Sequence, residues 1–147
     1  MAELITTLGA RRADELGVIL PHEHVFVDLR TPNTPGYAQA DTADVVRLMV
    51  PFLREAQARS ITAIVDCAPE GVGRRADILR AVSQAAGMPL VVPTGIYREP
   101  WVPDWALQAS EDMIRDWMLG ELQHEIAGSG VRAAWIKLSA NDDGITP

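Results

Sequence analysis

Cysteine, lysine and histidine are scarce in this 147-residue chain, with one, one and three copies. A single cysteine, Cys67, excludes an internal disulfide and points to a reducing compartment, the cytoplasm. No apolar run is long enough to span a bilayer. The N-terminus has neither the basic segment nor the apolar core of a secretory leader, so no membrane partner is expected. Cations are also in deficit, 13 against 20 anions for a net charge of −7, and the signs are interspersed. That balance argues against nucleic acid and anionic lipid as partners. No Gly-x-Gly-x-x-Gly follows any strand-like run, and Gly71-Val-Gly73 alone is too little for a nucleotide loop. Apolar residues, by contrast, make up 48% of the chain. The expectation is one soluble globular domain, residues 1–147, with a core of ordinary size.

Two of the three histidines lie in one stretch, Val18-Ile-Leu-Pro-His22-Glu-His24-Val-Phe-Val27, which reads as a buried strand. Side chains alternate along a strand, so His22 and His24 share a face and Glu23 takes the other. Two imidazoles on one face are a chelate for a metal ion; equally they are a hydrogen-bonded pair in a core or at a rim. The lone lysine, Lys137, lies near the end of a second apolar run, Val131-Arg-Ala-Ala-Trp-Ile-Lys137-Leu-Ser-Ala140. Lysine is rarely buried without a partner, and burial favours its neutral, nucleophilic amine. Such an amine can take up carbon dioxide as a carbamate whose two oxygens bridge two metal ions. The alternative is a lysine that snorkels from the strand end to water.

Between these runs, strands and helices alternate. Residues 4–8 and a polar turn suggest a lead-in hairpin or cap. Asp41 or Thr42 caps a helix reaching about Arg59, with Val45, Val46, Leu48, Met49, Phe52, Leu53 and Ala56 on its apolar face. Pro51 inside it implies a kink or a restart. Residues 61–66 form a second strand, residues 76–86 a helix closed by Gly87 in a left-handed cap, and residues 89–94 a third strand. A loop rich in proline and tryptophan follows. Ser110 then caps a helix running to about Ala127, with Glu111 and Asp112 in its first turn, and residues 133–139 form a fourth strand. This order implies parallel strands with helical crossovers, in an open sheet or a barrel.

Four segments resemble the phosphotriesterase family of the amidohydrolase superfamily, in order. They are Gly17-Val-Ile-Leu-Pro-His-Glu-His-Val25, Ile64-Val-Asp-Cys-Ala-Pro-Glu-Gly-Val-Gly-Arg74, Pro93-Thr-Gly-Ile-Tyr97 and Gly130-Val-Arg-Ala-Ala-Trp-Ile-Lys-Leu138. The resemblance implies a (β/α)8 TIM barrel, of which this chain supplies about the first four βα units. It also implies a centre of two divalent ions, most simply zinc, that hydrolyses esters, lactones or phosphoesters. His22 and His24 would bind one ion, and carboxylated Lys137 would bridge both. The family's other ligands, two histidines on the fifth and sixth strands and an aspartate on the eighth, have no counterpart here. Tyr97, where the chain leaves the third strand, resembles the lactonase-like branch and favours a lactone or carboxylic ester.

A barrel's site lies at the C-terminal strand ends, where His22, His24, Asp66, Glu70, Tyr97 and Lys137 all fall. Asp66 would orient a ligand histidine or cap the next turn. Glu70 and Arg74 are expected to make local turn contacts. Trp101 and Trp105 would wall a substrate pocket or close the barrel top. Met113, Trp117 and Met118 are read as helix packing, and His124 as a solvated or packing residue within the third helix. The size of a barrel, and a final Gly144-Ile-Thr-Pro147 that reads as a helix start, give the expectation of a fragment inactive alone. A homodimer is left open for the full-length protein. The rival readings are a non-catalytic half-barrel serving as a structural or interaction module, and another amidohydrolase branch.

Overall fold

The computed structural model describes residues 2–144. The expected helix start at Thr146 and Pro147 lies outside the described residues. Strands β1 (Glu3–Thr6) and β2 (Gly9–Arg12) form the lead-in hairpin, paired antiparallel. Thr7, in the turn between them, ties the hairpin to Leu90. It donates its N–H to the Leu90 carbonyl at 2.8 Å, and its hydroxyl accepts from the Leu90 N–H at 3.1 Å. Ser83 completes this buried polar cluster, 2.6 Å from the Thr7 hydroxyl and donating to the Met88 carbonyl at 2.6 Å.

All later pairings between strands are parallel. Strand β3 (Val18–Glu23) pairs with β4 (Ile61–Asp66), and β4 with β5 (Leu90–Val91). A separate pair joins β6 (Pro93–Thr94) to β7 (Trp135–Ile136). The expected third strand is thus split. Pro93 has no N–H to donate, and at this point the chain changes partner from β4 to β7. Helices α1 (Thr42–Ala58) and α2 (Ala76–Ala86) cross over between strands, while α3 (Asp104–Leu107) and α4 (Glu111–Gln123) lie between β6 and β7.

The end signals act as read. Asp41 accepts from the Asp44 N–H at 2.9 Å and Ser110 from the Met113 N–H at 3.2 Å, while Gly87 closes α2 at φ 71°. Other expectations fail for identifiable reasons. Of the kink or restart read at Pro51, the restart is absent: helix α1 runs on through Pro51, whose ring sits on the exposed side. Water there can take up the Arg47 carbonyl that loses its partner. Helix α4 stops at Gln123 rather than near Ala127. The Glu121 carbonyl, which a further turn would use, accepts instead from the Ala133 N–H at 2.9 Å. The fourth strand is cut to two residues, since only the short β6 pairs with it. Strand β3 is not buried: it is an edge, with Val18 57% exposed. Met113, read as packing, is exposed. The short α3 falls in a stretch that reads as loop.

The core lies between the sheet and α2, where Ile78, Leu79, Val82, Met88, Leu90 and Val92 are all but inaccessible. Each such side chain contributes roughly 1.5–3 kcal/mol by leaving water. Leu53 anchors α1 to the same cluster, whereas Leu48 and Phe52 on its apolar face remain exposed. No described helix is long and apolar enough to cross a membrane.

A buried ion pair ties α4 to the β4–α2 turn. Arg74 reaches Glu70 at 3.1 Å, the local contact expected, but its shorter bonds go to Glu121 at 2.6 and 2.7 Å. It also donates to the Pro93 carbonyl at 3.1 Å and lies over the Trp117 ring. Removing Glu121 would leave the buried Arg74 guanidinium with only its longer contact to the part-exposed Glu70. Glu121→Ala should therefore lower stability by about 3 kcal/mol in urea unfolding; a loss below about 1 kcal/mol, the surface-pair range, would contradict the pairing.

Asp66 is fully buried, and desolvation raises its carboxyl from 3.8 to about 6, opposed in part by hydrogen bonds from Val25 and Ala68. Because the folded state holds this proton more tightly than the unfolded chain, Asp66 adds stability as pH falls from about 6 to 3.8. Its ionisation above that window costs up to about 3 kcal/mol. Asp66→Asn should remove this component from the pH dependence of unfolding. An unchanged slope between pH 4 and 6 would show that Asp66 is not the group responsible.

Candidate metal centre

His22 is the penultimate residue of β3, and His24 directly follows the strand's last residue. Their rings meet edge to face, with centroids 5.6 Å apart. The strand is irregular between Leu20 and Glu23, yet the two imidazoles still reach one cavity. Burial pushes the His24 pKa down, the neighbouring His22 and Lys137 charges add to this, and Glu23 opposes it. The lowered value favours neutral imidazole, the form that binds metal.

The segment just beyond His24 is held by Asp66. One carboxylate oxygen accepts the Val25 N–H at 2.8 Å and the other the Ala68 N–H at 3.0 Å. Of the two roles read for Asp66, it takes that of turn cap, and it bears on the histidines through the Val25 backbone. Next to it the Cys67 N–H donates to the Glu23 carbonyl at 2.8 Å.

Lys137 arrives from the opposite edge. It directly follows β7, and its N–H donates to the Thr94 carbonyl at 2.8 Å. The side chain is half-buried, with Nζ 5.9 Å from the centre of the Trp135 ring. The strand ends approach closely at Gly95, which has φ 107°. A Cβ there would sit 2.1 Å from the Lys137 carbonyl oxygen, so a side chain at Gly95 would displace the lysine backbone. Gly73 plays a similar part under the first loop, at φ 78° and with Asp28 backbone 2.6 Å from a would-be Cβ.

Tyr97 is set by its neighbours on two sides. Its N–H donates to the Glu70 carbonyl at 2.9 Å, and its ring packs edge to face on Trp101. His22, His24, Tyr97 and Lys137 all line one cavity of about 270 Å³, with Val27, Leu29 and Val72 among its apolar walls. Cys67 and Ser139 line it too. The sequence points to Cys67 only for its redox meaning; its place directly after a strand-end aspartate was the available signal. Burial raises the Cys67 thiol above its ordinary value, which leaves it protonated and inert.

Other candidates fall elsewhere. Trp101 donates its indole N–H to the Leu29 carbonyl at 2.7 Å and so closes the top between two loops. Trp105 packs on Trp117 beside a separate, larger cavity of about 590 Å³ that includes Arg74, Glu121 and His124. His124 caps α4 from solvent and does not join the other histidines. Among the described residues, no group of three His, Cys, Asp or Glu side chains is placed to hold a metal ion. The rim offers two imidazoles and one amine.

A sequence model of the Phosphotriesterase family matches residues 2–147. The whole chain aligns at 31% identity with a protein of Mycobacterium tuberculosis named phosphotriesterase homology protein, covering 48% of that relative. A doubly substituted organophosphorus hydrolase from Deinococcus radiodurans superposes with a TM-score of 0.88 at 34% identity, over 100% of this chain and 46% of that one. A third relative is a structure described as organophosphate hydrolysis engineered from a weak promiscuous lactonase template. It matches 99% of this chain and 47% of its own, at 34% identity and a TM-score of 0.86. The chain spans about half the length of the relatives it matches, and its parallel strands and crossover helices are half of a TIM barrel. Matched over nearly its whole length in sequence and in fold, the chain belongs to the phosphotriesterase family.

Proposed function

We propose that this chain carries one side of the active site of a metal-dependent hydrolase that cleaves ester, lactone or phosphoester bonds of small molecules. The observation that carries the reading is the convergence of His22, His24, Tyr97 and Lys137 on one cavity at the C-terminal strand ends. The donor set suits zinc, which takes neutral imidazole nitrogen and carboxylate-type oxygen. His22 and His24 would hold one ion, and carboxylated Lys137 would bridge it to a second. Divalent ions held there would polarise a carbonyl or phosphoryl oxygen and lower the pKa of water.

The chain's own groups set the conditions. His24 is biased toward the neutral state that binds metal. Lys137 would serve as a ligand by adding its neutral amine to carbon dioxide, which gives a carbamate and releases one proton. The Trp135 face beside Nζ favours the competing ammonium form. The carbamate therefore prevails only where cations neutralise its two oxygens. Tyr97 presents its phenol beside the two histidines, where it can hydrogen-bond a substrate oxygen. A two-ion centre needs donors beyond these side chains, which the other half of the barrel would supply. A lone, buried Cys67 thiol fits a cytoplasmic setting.

In the assembled enzyme, Lys137→Ala should release zinc and lower kcat/KM by at least about 100-fold. Added short carboxylic acids should restore part of both. Unchanged zinc content and turnover without any additive would contradict the bridging role.

The position of Tyr97 and the relative described as a lactonase template favour lactones or carboxylic esters. Across a panel of lactones, aryl esters and phosphotriesters, lactones should give the highest kcat/KM. A clear preference for phosphotriesters would reverse the assignment.

A further inference from the structure

Trp101 stands behind the cavity of the two histidines and is joined to two of its walls. Its indole N–H donates to the Leu29 carbonyl at 2.7 Å, and its ring meets the Tyr97 ring edge to face, with centroids 5.6 Å apart. Leu29 belongs to the first loop, after β3, and Tyr97 to the third, after β6. The second loop, after β4, sets the tryptophan in place. Gly71 there has φ 101°, and a Cβ on it would sit 2.1 Å from the Trp101 carbonyl oxygen. On the other side, the Arg98 guanidinium lies 5.5 Å from the centre of the Trp101 ring and 5.9 Å from that of Tyr97. Three loops therefore meet at one half-buried side chain.

The first loop is held unevenly. Asp28 fixes its base: its N–H donates to the Val72 carbonyl at 3.0 Å, and its carboxylate accepts the Ala38 N–H at 2.9 Å. Leu29 lies just beyond this base and is tied to the third loop by the Trp101 bond. A second contact between the two loops, Asn33 to Asp104 at 3.2 Å, is exposed, and water competes for it.

We propose that Trp101 is a positioning residue that holds the Leu29 wall against the Tyr97 wall and so sets which acyl chains the cavity admits. The inference rests on the proposed hydrolysis of lactones or esters. Two roles separate within one side chain. The indole N–H fixes Leu29, and the ring supports Tyr97. An apolar wall that is held in place discriminates by roughly 10–200-fold per methylene, whereas one free to move gives up part of that ratio.

The test uses the full-length protein and begins with a readout that needs no activity. Trp101→Phe keeps a ring beside Tyr97 and removes only the N–H. Amide hydrogen exchange over residues 29–36 should rise at least about threefold in this variant, with the Asp28 and Ala38 amides unchanged. Across lactones that differ only in side-chain length, its kcat/KM ratio between the shortest and the longest should move toward one by at least about fivefold, mainly through KM. Trp101→Leu loses the ring as well and should lower kcat on every substrate at least about tenfold; Phe at this position should recover most of that loss but not the chain-length preference. Trp105→Phe, beside the separate cavity, should change neither exchange nor preference. Thermal unfolding identifies a variant that fails to fold, and Phe is the substitution that spares the ring packing. Unchanged exchange over residues 29–36 in Trp101→Phe, an unchanged chain-length preference, or equal kcat in the Phe and Leu variants would each overturn the proposal. A wild-type protein that hydrolyses no lactone, ester or phosphotriester would overturn the proposed function instead, and the exchange result would still decide whether Trp101 tethers the first loop.

Discussion

The buried carboxylate of Asp66 is the constraint on which the rim of this half-barrel depends. It accepts the N–H of Val25, directly after the histidine pair, and the N–H of Ala68, in the turn beyond its own strand. It thereby ties the segment after β3 to the turn after β4. From that point the ladder continues across the rim. Cys67 bonds to Glu23, Glu70 to Gly95, Tyr97 to Glu70, and Lys137 to Thr94, all through backbone groups at 2.8 to 2.9 Å. Tyr97 and Lys137 are thus each tied through their own backbone N–H to the segment beside them. The cost is an ionised carboxylate in a site with no exposure to water, offset by two hydrogen bonds.

A second buried charge system works at greater distance. Arg74 links the β4–α2 turn, the Pro93 carbonyl and Glu121 on α4. Pro93 adjoins Thr94, whose carbonyl receives the Lys137 N–H. Helix α4 thus bears on the lysine through one guanidinium and one strand residue. Buried ion pairs add little net stability, but a misplaced partner is heavily penalised, and this favours one arrangement over its neighbours.

Much of this was legible in the sequence because the relevant signals are local. The caps at Asp41 and Ser110, the left-handed Gly87 and the strand at residues 61–66 rest on near-neighbour chemistry, and they stand where the sequence put them. The alternation of strands and helices identified the parallel fold, and the histidine pair and lone lysine located the rim. The features that escaped the sequence depend on long-range partners. The split third strand results from a change of neighbour at Pro93, and the early end of α4 from Ala133 capturing a helix carbonyl. Arg74 was read with Glu70, four residues away, because nothing local points to Glu121. The exposure of β3 follows from its place at the edge of its sheet, which its apolar sequence does not reveal.

The most direct measurement of the metal centre is a zinc titration of the chain followed by NMR of the imidazole nitrogens. The three histidines provide an internal comparison, since His22 and His24 share a cavity and His124 caps the far end of α4. His22 and His24 should shift together and saturate at a common zinc concentration, with His124 unmoved. Resonances of His22 and His24 that stay in place, or that respond no more than His124, would contradict a metal centre at this rim.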